Sequence, residues 1–97
     1  MKKDKFLKLE KPAISMMRRY IKKPIEIEAL EWTGENNVEV LNFCDRCYII
    51  AGKELKISTL EGPMNASVGD FIIKGIQEEF YACKPDVFRL TYDEVTN

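Results

Sequence analysis

The chain contains no histidine, which removes the commonest general base, the commonest zinc ligand and every Ser-His or Cys-His nucleophile arrangement. Catalysis by carboxylates or lysine stays open, yet the absence argues for binding over chemistry. Long hydrophobic runs are missing too. No window approaches the roughly eighteen uninterrupted apolar residues of a membrane span, so no membrane association is expected. A phosphate-binding loop is also lacking, because the five glycines stand singly at turn-like positions. The N-terminus begins basic, as a secretion signal would. However, Phe6-Leu7-Lys8-Leu9-Glu10-Lys11 is cut by charges before an apolar stretch can form. A cytoplasmic location is the resulting expectation.

What is present points to one small domain. Ninety-seven residues with 45% apolar composition can fill a single modest core and no more. Charge is unevenly placed. Residues 1–23 carry nine basic residues against Asp4 and Glu10, a net +7, whereas the remainder carries six basic and fourteen acidic residues, a net −8. The basic segment lacks the aromatic interleaving of a nucleic-acid reader, which argues against direct nucleic-acid binding. Met16-Met17-Arg18-Arg19-Tyr20 reads like the start of a short protein. Residues 1–18 are therefore expected to be a basic extension outside the fold, and residues 19–97 a single α+β domain.

From Ile25 the pattern alternates, with Ile25, Ile27 and Ala29 on one side and Glu26 and Glu28 on the other, as in a half-buried strand opened by Pro24. Leu30 and Trp32 fall on the opposite parity, which requires either a bulge or cover on both faces. Asn36 or Asn37 is the expected cap of a short helix over residues 38–44, whose apolar residues recur at three- and four-residue spacing. Strands follow around Tyr48, Leu55, Met64, Phe71 and Phe80, with Gly52-Lys53 as a tight hairpin. Residues 86–92 suit a helical turn or an edge strand. The fold class predicted is α+β, a strand-rich antiparallel barrel or curled sheet with one early helix.

Candidate sites are few. Cys44-Asp45-Arg46-Cys47 is a C-x-x-C pair, but Cys83 is the only further cysteine, so no metal site is expected. Its place at a helix C-terminus opposes thiolate formation, and the reading is of Cys44 and Cys83 as small core residues with Cys47 starting a strand. With no secretion signal, the cysteines fit a reducing compartment. Glu26, Glu28, Glu31, Glu78 and Glu79 could form an acidic face that meets a basic partner protein, or merely a solvated surface. Trp32, Lys74, Tyr81 and Lys84 could line a pocket for a small anion. No cofactor is called for, and self-association stays open.

Two stretches carry a resemblance. One is Arg19-Tyr20-Ile21-Lys22-Lys23-Pro24-Ile25-Glu26-Ile27-Glu28-Ala29 with Trp32-Thr33-Gly34. The other runs from Thr59-Leu60-Glu61-Gly62 through Val68-Gly69-Asp70-Phe71-Ile72-Ile73-Lys74-Gly75 to Glu79-Phe80-Tyr81-Ala82-Cys83-Lys84-Pro85-Asp86-Val87-Phe88. Together they resemble a widespread family of small proteins encoded by bacteriophages and prophages. The resemblance implies a setting more than an activity: a non-enzymatic accessory protein that inhibits a host defence system, anti-CRISPR-like, by binding an effector protein or a signalling nucleotide. A small virion or assembly component is the alternative, and a small enzyme ranks third.

Overall fold

A computed structural model describes residues 16–51 and 53–96. Most of the expected basic extension, residues 1–15, lies outside them. Six strands and two short helices follow in the order β1 (Glu28–Glu31), α1 (Asn37–Phe43), β2 (Cys47–Ile50), β3 (Glu54–Thr59), β4 (Gly62–Ala66), β5 (Phe71–Lys74), β6 (Phe80–Cys83) and α2 (Pro85–Thr91). The strand-rich α+β expectation holds. The strands form two antiparallel three-stranded sheets, β1-β5-β6 and β2-β3-β4, and do not close into a barrel. A second helix joins the early one, since Pro85 opens α2 at a position where a missing N–H costs nothing.

The second sheet is built on its middle strand. Leu55 and Ile57 of β3 are both buried, each contributing about 1.5–3 kcal/mol through removal from water. Strand alternation sends Lys56 outward between them, opposite Tyr48 on β2 and Asn65 on β4. The first sheet supplies Ile72 and Phe80, and the link between β1 and α1 supplies Trp32; these join Val40 and Cys44 in one core. The Phe43 ring meets Phe80 edge-on at 5.7 Å, locking α1 over this core. Where β6 approaches β4, the Ala82 N–H donates to Met64 Sδ at 3.3 Å.

The parity conflict around Ala29 and Leu30 resolves as cover on both faces. Leu30 packs with the core, while on the other face Ile73 is fully buried between its partners Ala29 and Tyr81. The cover there comes from α2, whose Phe88 ring stacks on Phe71 at 4.0 Å and sits 5.1 Å from the Tyr92 ring. Strand β1 starts later than the alternation predicts. Residues 24–27 are outside any regular element, and Pro24 is followed by a tight Ile25 N–H to Lys23 carbonyl contact of 2.9 Å.

Two local devices set the turns. Asn36 opens α1 without capping it directly; its Oδ1 accepts from the Thr33 N–H and hydroxyl, and its Nδ2 donates to the Glu31 carbonyl and to Glu39. Gly69, at φ +99, makes the bend into β5, and its N–H reaches the Trp32 carbonyl at 2.7 Å. Asp70 beside it is 3% exposed, and its Oδ2 accepts the Ser67 N–H at 2.9 Å. The β2–β3 hairpin turns at Ala51, φ 55, with Lys53 N–H donating to the Ile50 carbonyl; Gly52 itself lies outside the described residues.

Candidate functional site

A groove of about 1060 Å³ runs along β1 and the residues leading into it. Residues 22–29 form one wall, and residues 91–95, from the last residue of α2 onward, form the other. Phe71 and Phe88 lie between. The aromatic stack therefore positions the site: it seats α2 on the first sheet and so brings residues 91–95 alongside residues 22–29. Lys22 fixes the same approach from the other side. Its Nζ donates to the Tyr92 hydroxyl at 3.1 Å and lies 4.8 Å from that ring's centroid.

This corner has unusual acid–base character. Burial, followed by the neighbouring Tyr92 hydroxyl, pushes the Tyr81 pKa up to about 12. Tyr92 moves the other way, because the Lys22 ammonium hydrogen-bonds to its oxygen and, with the Tyr81 hydroxyl beside it, favours the phenolate. Burial pushes the Cys83 thiol up, helped by the Asp70 and Asp86 carboxylates. Such a thiol is a poor nucleophile at neutral pH.

The groove has mixed charge. Lys22, Lys23 and Arg89 line it together with Glu26, Glu28, Asp93 and Glu94. Among the described residues these four carboxylates have no ion pair or hydrogen-bond partner, so they are free to meet a ligand. Two of the five glutamates expected on an acidic face, Glu26 and Glu28, thus belong to the groove. Glu78 and Glu79 lie in the β5–β6 turn, at the end of the sheet where Glu28 pairs with Lys74. Glu79 spends one carboxylate oxygen on the Gln77 N–H at 3.0 Å. Glu31 is at the opposite end of β1.

The residues suggested for an anion pocket are not brought together. Trp32 is 1% exposed, and its indole serves the core rather than a stacking surface; it reaches only the floor of a separate depression of about 290 Å³ beside Lys53 and Val68. Lys74 and Tyr81 belong to opposite faces of the first sheet by strand alternation. Lys84 is held by Asp70, with Nζ 3.2 and 3.3 Å from the two carboxylate oxygens.

The cysteines also differ from expectation. Cys44 is fully buried and Cys47 does begin β2, but the two are joined as a disulfide. The reason is the turn after α1. Cys44 adopts an extended conformation and its carbonyl accepts the Cys47 N–H at 3.2 Å, bringing the Cα atoms to 5.4 Å, within bridging range. Cys83 is free and only partly buried, outside the core. Among the described residues no group of three acidic, cysteine or histidine side chains is placed to hold a metal ion, and no helix is long and apolar enough to cross a membrane.

Sequence reasoning missed Lys22, Phe88, Tyr92, Asp93 and Glu94 as partners in one site. Lys22 and Tyr92 are seventy positions apart, and neither carries a motif that announces the other. The chain matches no protein-family model, no curated protein and no solved structure.

Proposed function

We propose that this chain is a non-enzymatic accessory protein of a phage or prophage that inhibits a host bacterial defence system by binding one of its effector proteins in the host cytoplasm. The observation that carries the reading is the groove beside β1, lined by Glu26, Glu28, Asp93 and Glu94, whose carboxylates have no partner among the described residues, and by Phe71 and Phe88. It is too open and too mixed in charge to favour a small anion, and it suits a polypeptide with basic side chains. The phage setting rests on the resemblance of the K-K-P-I and V-G-D-F-I-I-K-G stretches. The nucleotide-binding form of the reading is weaker, because Lys74, Tyr81 and Lys84 do not converge.

The test is to express the chain in bacteria carrying individual defence systems and challenge them with phages those systems block. Restored plaque formation with one system, together with a complex of the chain and that system's effector that dissociates as salt is raised, is the expected result. Normal defence across the panel, with the chain recovered only in purified virions, would replace this reading with a structural role.

A further inference from the structure

Among the described residues the first sheet ends at β1, and no strand pairs with the outer edge of that strand. At its C-terminal end the Trp32 N–H donates to the Asp70 carbonyl at 2.8 Å, so Trp32 presents its backbone to the β5 side. Strand alternation then turns the backbone groups of Leu30 and Glu28 toward β5 and those of Ala29 and Glu31 away from it. The Glu31 carbonyl does point away, since it is taken by Asn36 Nδ2 at 2.8 Å. That bond closes one end of the edge. Ala29, and Ile27 before it, have no backbone hydrogen-bond partner among the described residues.

An edge of this kind is a template for another strand. Three features of the edge select its occupant. The open backbone calls for an extended chain. Glu26 and Glu28 stand two positions apart, and both carboxylates are unpartnered, so the occupant needs basic residues at every second position. Between them Ile27 and Ala29 offer small apolar contacts for the alternate positions. A second copy of this chain fits poorly. Pairing the edge with itself would bring Glu26 and Glu28 of both copies onto one face of the seam, and like charges across a seam are destabilising.

We propose that β1 and the residues leading into it accept an extended strand of another protein whose residues alternate between basic and apolar, added antiparallel or parallel to the free edge. This rests on the binding role argued above and names the chemistry of the partner segment.

The experiment uses the full chain and short end-capped peptides that alternate lysine with valine or threonine, with glutamate counterparts as controls. The lysine peptide is expected to bind and to slow amide exchange at Ala29 and Glu31. Methylating its backbone nitrogens along one edge should abolish binding. The E26K/E28K variant, with both sites exposed and its fold checked by its amide spectrum, should bind about tenfold more weakly and should now accept the glutamate peptide. Absence of lysine-peptide binding, binding indifferent to both substitutions, or exchange protection away from β1 would overturn the proposal. So would a dimer in sedimentation experiments whose protected amides are those of β1. If the E26K/E28K variant still holds its effector and still lifts defence, the edge proposal fails while the inhibitory role stands. If peptides bind as expected but no defence system is affected, the role fails and the strand-accepting edge stands.

Discussion

Asp70 is the residue on which the approach to β5 depends. Its carboxylate is nearly inaccessible, accepts the Ser67 N–H and pairs with Lys84. The two partners are unequal in burial, because the Lys84 side chain is 62% exposed. Asp70→Ala should therefore cost about 1–3 kcal/mol, as a part-buried hydrogen bond to a charged acceptor is lost. Lys84→Ala should cost less than about 1 kcal/mol, since water replaces the exposed ammonium. Urea midpoints for the two variants check this order. At the groove corner, the Lys22 bond to Tyr92 predicts that Lys22→Ala raises the Tyr92 pKa, read from phenolate absorbance. The pH dependence has two signs. Tyr81 keeps its proton longer in the fold, so its contribution is complete below 10.0 and is lost as pH rises toward about 12. Tyr92 favours its phenolate in the fold, so its contribution is present above 10.0 and is lost as pH falls through its lowered value.

Among the elements, the junction of α1 and β2 departs most from what its residues suggested. The helical spacing of Val40, Phe43 and Cys44 was legible, and so was the capping region at Asn36. The disulfide was not, because C-x-x-C at a helix end is judged by the dipole acting on a thiolate, whereas the bond depends on the turn that follows. Closing so short a loop stabilises by about 2 kcal/mol in the chain-entropy account. Reduction should accordingly lower the thermal midpoint by about 8–16 °C. Cys47→Ser, which cannot form the bond, should melt at the same temperature with and without reductant. Equal midpoints for the oxidised and reduced wild-type chain would show that the bridge contributes nothing to the fold.

For the molecule as a whole, alternation and turn residues carried most of the fold, because each strand is short and its signals are local. Leu55 and Ile57 face the core as their spacing requires, and Gly69-Asp70 turns where a glycine and an acid stand together. The sheet order was not legible. Pairing β1 with β5 joins segments forty or more positions apart, and together with the Phe71–Phe88 stack it places residues 26–28 across from the residues after α2. Residue type also misled where burial decides the role: Trp32 and Lys84 suggested a ligand pocket, yet one fills the core and the other serves Asp70.

The most direct test is hydrogen exchange on the purified chain with and without its effector. A binding protein that works through this groove predicts slowed exchange at residues 26–31 and 92–95 in the complex, with the outer face of β2-β3-β4 unchanged. Protection confined to that outer face, with residues 26–31 exchanging as in the free chain, would contradict it.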